Sequence, residues 1–596
     1  MNVRRWFPFM HWLPGYRRET ALPDGLAALI VTLMLIPQSL AYALLAGLPP
    51  QAGLYASILP LIAYALFGSS RTLAVGPVAV ISLMTAAALT PLFAPGTAEY
   101  QGAALLLALL SGLLLVGMAV LRLGFLASFL SHPVISGFIT ASALLIVLSQ
   151  LRHLFGIPLQ GSTLPELLPR LLILLPQLHM PTLILGAGSL ALLWWAGAPF
   201  TELLRRHGWS VTWSRIMPAF LLVLSIAVVG GLGLAQQGVA VVGEIPRGLP
   251  VPRLPEWDWM LARQLLPAAL LISLVGFVES VSVGQSLAAR RRERIDPDNE
   301  LAGLGAANLA AAVAGGLPVT GGFSRSVVNF DAGARTPMAG VFSAVAMAVG
   351  VLFFTPWLRD LPQAVLAATI IVAVLKLVDL RSLRRTWRYS RQDGAAQLAT
   401  LLGVLLVGVE AGVLLGMGLS LLLFLWRTSR PHMAVVGQLP GSEHFRNVER
   451  FEVVQSPKVL SLRVDESLYF PNARYLEERI IELVAQHPAI EHLVLMCSGV
   501  NLIDASALES VEMIVERLRT AGIQLHLSEV KGPVMDRLRR SELLQHFGGR
   551  VFVSQFQALA ELDPEVTRSA MADAGTVAFG PPSGGLSDEI RPSTKA

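Results

Sequence analysis

Apolar runs of about 20 residues recur between residues 25 and 430, and each run of that length can cross the hydrocarbon core of a bilayer as a helix. Few folds remain open to such a chain. Backbone polar groups inside a bilayer must be satisfied within the protein, so the spans are read as helices. They lie near 25–46, 53–68, 74–92, 102–121, 125–151, 181–198, 214–234, 261–289, 299–316, 322–333, 337–357, 361–379, 394–410 and 412–429. That is about fourteen, several too short to cross alone. Composition agrees: 54% of residues are hydrophobic and 14% charged, against about 25% charged in soluble domains. Lys plus Arg number 45 and Asp plus Glu 40, an excess too small to imply a nucleic-acid partner. The single Cys497 excludes an intramolecular disulfide and a multi-cysteine metal site, and fits a reducing compartment.

Arginine placement orients the spans. With the N-terminus inside, the even-numbered spans are followed by Arg71, Arg122, Arg205 with Arg206, Arg290 to Arg292 with Arg294, Arg335, Arg381 to Arg388, and Arg427 with Arg430. The loops expected outside near 92–101 and 316–322 carry none, and those near 152–180 and 235–260 few. The positive-inside rule then puts both termini in the cytoplasm of a multi-pass protein of the cytoplasmic (inner) membrane. Residues 1–20 read as a cytoplasmic lead-in, with Trp6, Phe7 and Trp12 near the interface and no apolar run of signal-peptide length.

Two spans break in the same way. The stretch from Leu73 to Ala79 is extended and interrupted by Gly76 and Pro77 before turning helical, and the stretch from Leu317 to Arg325 repeats this seven spans later. Seven is odd, so the second copy comes in from the opposite side. Paired broken helices in inverted halves point to a midplane transport site. If both half-helices begin near the midplane, Val78, Ala79 and Val80 supply N–H donors from one side, and Phe323, Ser324 and Arg325 from the other. Pro77 suits a first helical position. Arg325 adds a full charge inside the membrane, which marks a functional residue. Its alternative roles are an ion pair with Glu279 or snorkelling towards headgroups.

Glu279 is the second intramembrane charge, and a carboxyl there, near a cation, suits proton coupling. Gln38 and Tyr42 lie one turn apart on the first span and can face one cavity, where they would orient an oxyanion or tie helices together. No nucleotide loop or metal cluster supports an enzyme or calls for a cofactor. His132 and His153 stand isolated near helix ends, and His132-Pro133 reads as a helix start.

From 440 the pattern changes to alternating strands and helices. Strands are expected at 459–464, 492–497 and 524–528, and helices at 474–486, 506–520, 533–544 and 556–562. This predicts a small α/β domain. Ser506 and Glu509 have the spacing of a capping box. The tail, rich in Ala, Gly, Pro and Ser, reads as disordered. The expected organisation is 1–20, a transport domain over 21–430, a soluble domain over 431–563 and a tail over 564–596.

The run Pro37-Gln38-Ser39-Leu40-Ala41-Tyr42-Ala43, the stretch Gly47 to Tyr55, and Ala74-Val75-Gly76-Pro77 closely resemble the SulP family of sulfate permeases, which includes animal solute carrier family 26. The match continues through Glu279-Ser280, Asn299-Glu300-Leu301, Gly303, Asn308 and Gly322 to Ser326. The α/β domain resembles the STAS domain, and Ser506 stands where soluble relatives can be phosphorylated.

The resemblance implies an all-α polytopic membrane domain with a seven-plus-seven inverted repeat, split into core and gate domains that move in an elevator-like cycle. It implies a homodimer in the lipid bilayer, with substrate between the third and tenth helices and the STAS domain open to a regulatory protein. Family substrates include sulfate, bicarbonate, chloride, oxalate and C4-dicarboxylates. Val283 and Phe323 stand where sodium-coupled members would carry hydroxyls, which favours protons over sodium. The expected function is secondary active, proton-coupled uptake of sulfate. The alternatives are a bicarbonate or C4-dicarboxylate symporter, an anion exchanger, an anion channel or, last, a nucleobase permease.

Overall fold

Helix is the default wherever apolar sequence must satisfy its own backbone, and helix is what the first part of the chain forms. The computed structural model describes residues 7–128, 131–207, 212–245 and 248–572; Trp6 lies outside them. The chain divides into two compact units, one up to Ser420 and one from Leu421.

In the first unit the site is carried by α1 (Arg18–Leu45), α2 (Ala79–Leu89), α3 (Ala98–Val120), α4 (His132–Phe155), α5 (Trp259–Arg290), α6 (Pro297–Val313) and α7 (Phe323–Asp331). Each of the fourteen expected segments carries helix. Among the described residues, seven helices are long and apolar enough to cross a bilayer unaided. The second segment is broken into Pro50–Tyr55 and Leu59–Phe67. With 11 and 9 residues, α2 and α7 are about 16 and 13 Å long, roughly half the hydrocarbon core.

The membrane part is helical apart from one short antiparallel pair, β1 (Val75–Gly76) with β2 (Thr320–Gly321). Two further features add to the expected pattern. The 152–180 stretch contains a helix, Leu164–Leu174, which continues to Gln177 and meets Met180–Ala196 at 119°. The arginines Arg381, Arg384, Arg385 and Arg388 lie on a helix, Leu380–Tyr389, with Leu380, Trp387 and Tyr389 exposed, the composition of an interfacial amphipathic helix.

Small residues let the helices approach closely. A Cβ on Gly305 of α6 would sit 2.7 Å from Cγ2 of Val116 on α3, and one on Gly112 of α3 would sit 2.8 Å from Leu309 on α6. One apolar cluster joins Ile81, Tyr100, Leu107, Phe277 and Leu301 from α2, α3, α5 and α6. A second joins Leu35, Leu40 and Tyr42 of α1 to Ile146, Met347 and Val365. Ile184, Val223 and Phe353 remain exposed, as lipid-facing positions would be.

The second unit carries a six-stranded sheet in the order β4 (Phe445–Asn447), β3 (Met433–Gln438), β5 (Val459–Val464), β6 (His492–Met496), β7 (Gln524–Ser528), β8 (Val551–Phe552). Strands β5 to β8 run parallel, while β3 and β4 are antiparallel additions. Helices α8 (Phe470–Gln486) and α9 (Ala505–Thr520) cover one face, and Gln555–Leu562 packs Ala558 and Leu559 on the other. Burial on both faces explains the unbroken apolar strands.

The expected capping box at Ser506 does not form. The N-cap is Asp504, whose Oδ1 accepts from Ala507 N at 2.8 Å while its Oδ2 accepts from Phe470 N at 2.9 Å. A carboxylate two residues earlier satisfies the helix start and a second chain segment at once. The expected disordered tail is helical over Pro564–Ala572, because Asp563 Oδ1 accepts from Val566 N and Ala570 is buried. Residues 573–596 of that tail lie outside the described ones.

Candidate functional site

The two broken segments meet. Val75 pairs with Gly321 and Gly76 with Thr320, and Gly322 N donates to Ala74 O at 3.1 Å. Each strand runs directly into a half-helix, so the N-terminal ends of α2 and α7 open side by side. Val78 is the N-cap of α2 and Gly322 that of α7, both in extended conformation. The first intrahelical donors are Ser82 and Ser326. That leaves the N–H groups of Ala79, Val80 and Ile81, and of Phe323, Ser324 and Arg325, without helical acceptors. Val78 thus precedes the donor set it was expected to open. The side chain of Ser324 lies outside the described ones.

Pro77 does not occupy the first helical position. It precedes the N-cap, because the chain stays extended through Val78 and the Pro77 carbonyl serves as an acceptor. Arg325 Nη2 donates to it at 2.7 Å. The guanidinium lies against two glycines: a Cβ on Gly76 would be 2.8 Å from Nη1, and one on Gly322 would be 2.9 Å from Nη2. Arg325 is 2% exposed, and its Nη1 is buried without a hydrogen-bond partner among the described residues.

Polar side chains fix the strand pair. The Ser280 hydroxyl accepts from Gly321 N at 2.9 Å and meets Thr320 Oγ1 at 2.8 Å, and both hydroxyls reach Gly276 O. Asn308 imitates a neighbouring strand, accepting from Val319 N and donating to Val319 O, each at 2.9 Å. Ser326 Oγ accepts from Ala74 N, and Asn329 donates to Thr72 O. Arg291 reaches the far end of α7, donating to Ala334 O at 2.5 Å with Phe330 under its guanidinium.

Of the residues expected at the site, Tyr42, Arg325 and Glu279 come within electrostatic range of one another. Tyr42 is buried and Gln38 partly buried on α1. Val78 and Ala79 are buried, whereas Phe323 is 48% exposed at the opening of α7. Among the described residues no Arg325–Glu279 ion pair forms. Glu279 instead faces a crevice walled by Val134, Ile135, Phe138, Ile139 and Val413, with no hydrogen-bond partner among the described residues.

The sequence singled out Ser280, Asn308 and Ser326 only as motif residues, and their fixing role, that of Thr320 and the contact role of Gly76 and Gly322 were missed. Glu300 too was named only as a motif residue; it is buried and accepts from Tyr64 Oη at 2.7 Å, Ser69 N at 2.8 Å, Ser69 Oγ at 2.7 Å and Ser70 N at 2.9 Å. The available signal was a set of short polar side chains inside apolar runs beside the two breaks.

Chemically, two bundles of unpaired N–H groups flank a buried cation that has one unsatisfied donor. Helix N-termini and a guanidinium repel one another electrostatically, and a small anion between them would satisfy all three.

Known proteins are similar to this chain in sequence and in fold. Residues 22–400 match the family model described as the sulfate permease family, and residues 450–558 the one described as the STAS domain. The chain is 36% identical over 562 residues to the probable sulfate transporter 4.2 of Arabidopsis thaliana, covering 92% of this chain and 82% of that protein. It is 35% identical over 547 residues to a probable sulfate transporter of Mycobacterium tuberculosis, covering 90% and 95%. Its fold is similar to that of murine solute carrier 26 family member A9, solved in the inward-facing state: the TM-score is 0.85 at 23% identity, over 94% of this chain and 95% of that one.

Proposed function

The chain belongs to the sulfate permease family, whose members are transporters rather than enzymes, and we propose that it is a proton-coupled secondary transporter of a small oxyanion, sulfate first. The observation that carries this reading is Arg325, buried between the N-terminal ends of α2 and α7 with Nη1 lacking a hydrogen-bond partner among the described residues. A buried cation with an unmet donor is costly unless something anionic joins it. The relatives named as sulfate transporters in a plant and a mycobacterium support sulfate over bicarbonate or a dicarboxylate.

Tyr42 and Gln38 on α1 would orient the anion, with backbone donors from Ala79 and Phe323 onward completing the cradle. Glu279 is the coupling group in this reading. A carboxyl with apolar walls, no hydrogen bond among the described residues and a cation within electrostatic reach can exchange a proton as that cation gains or loses its anion. The strand pair joins both half-helices into one cassette, which supports elevator-like movement of the site as a body. The protein would work as a homodimer in the cytoplasmic membrane with both termini inside. Transport would reside in 21–430, while the STAS domain, placed at 431–563, would receive regulatory partners.

The test is uptake into proteoliposomes with labelled sulfate, bicarbonate and fumarate offered separately under an inward proton gradient. Concentrative sulfate uptake that collapses with a protonophore is expected. Uptake indifferent to the proton gradient would move the mechanism to exchange or a channel, and concentrative uptake of another anion alone would replace sulfate.

A further inference from the structure

At the end of α4 farthest from His132 lies a second cationic feature that the central site does not use. Arg152 lines a cleft of about 630 Å³ together with Leu48, Pro49, Pro95, Gln160 and Thr182. Among the described residues no Asp or Glu lines this cleft, and Arg152 forms no ion pair. Its Nε donates to His153 Nε2 at 2.8 Å, and that is its one side-chain hydrogen bond among the described residues. Among the described residues the guanidinium therefore donates to none of the carbonyls at the helix end, and both terminal nitrogens lack a protein partner there. Arg152 is itself only partly exposed. Removing a cation from water without a counter-ion is unfavourable, and the fork of a guanidinium matches a planar or tetrahedral oxyanion.

The walls connect this cleft to the transport machinery. Leu48 and Pro49 follow α1, and Pro95 lies in the turn after half-helix α2, where Gly96 N donates to Gly47 O at 3.1 Å. We propose that Arg152 forms a second oxyanion-docking site, an antechamber that loads the central site from the side opposite the termini. Its sidedness and ligand class rest on the function proposed above.

Two measurements on the full-length protein in lipid decide it. The structure is determined with sodium selenate, whose selenium marks its position. Selenate at Arg152 is expected in the wild type and is lost in Arg152→Gln. Sulfate uptake is also measured in right-side-out and inside-out vesicles. Arg152→Gln should raise KM about tenfold from the outer face, the size of one charged hydrogen-bonded contact, with kcat within about twofold. KM from the inner face should not change, and Arg152→Lys should recover most of the loss. A purely structural arginine would move both faces together, and that result overturns the proposal. So does absence of selenate at Arg152 in the wild type, or its persistence in Arg152→Gln. Selenate held at Arg152 in a protein that moves no sulfate would keep this site and remove the transport reading instead.

Discussion

The two half-helices begin on the same backbone plan with opposite chemistry. The first turn of α2 is reached through Val78-Ala79-Val80, buried and apolar, so this side offers the cavity only N–H groups. The first turn of α7 is Phe323-Ser324-Arg325, which adds the charge, and Ser280, Asn308 and Ser326 fasten the approach to it. A cradle needs donors from both sides but a full charge from only one, because two buried guanidiniums would repel each other and double the desolvation penalty. The repeat is therefore symmetric where backbone does the work and asymmetric where side chains do.

The strongest way to break this comparison is Arg325→Ala. Uptake should fall by about 30- to 1000-fold, the range for removing one partner of a buried charged contact, while the purified protein keeps its elution profile. Wild-type uptake by that folded variant would make the two half-helices equivalent and end the assignment. Glu279→Gln should next remove the pH dependence of accumulation, leaving a flat profile where the wild type accumulates more as external pH falls. A profile that follows the wild type would exclude Glu279 as the coupling group.

Gly322→Ala tests the contact between the α7 N-cap and the charge. Its Cβ would stand 2.9 Å from Arg325 Nη2, so the guanidinium must shift, and uptake should drop about tenfold. Gly25→Ala, with open space around it, is the matched control. Ser280→Ala leaves Gly321 N buried without its acceptor and should lower stability by about 1–3 kcal/mol, read as a lower melting temperature. The smallest effect belongs to α2. Val80→Ala should cost about 1 kcal/mol of stability and leave KM for sulfate unchanged, since only its backbone serves the site. A large change in KM there would show that the apolar half-helix also recognises substrate through side chains.

Much of this was readable in the sequence. The fourteen segments are bounded by composition, most of them also by Gly or Pro, so helices form where apolar length demands them. The breaks at Gly76-Pro77 and Gly321-Gly322 were visible for the same reason, and so was the charge of Arg325 within an apolar run. The pairing of β1 with β2 was not, because two-residue strands carry no periodicity and their partners lie in opposite halves of the membrane unit. The misplacement of Pro77 follows from that: its carbonyl is claimed by a residue distant in sequence. Asp504 displaced Ser506 as a cap for a related reason, since the second contact that favours it, to Phe470 N, is non-local.

The two rungs between β1 and β2 tie this unit at its middle. A structure tied at its middle cannot bend there, so any swing must be taken up at the ends of the tied piece. Those ends carry Gly96 after α2, Gly315 before β2 and Gly333 after α7, with φ of 84°, 78° and 95°, a region that residues with a side chain adopt reluctantly. A lever needs its load and its fulcrum apart. Here the load would sit at the knot, with the three glycines at its ends as the fulcra.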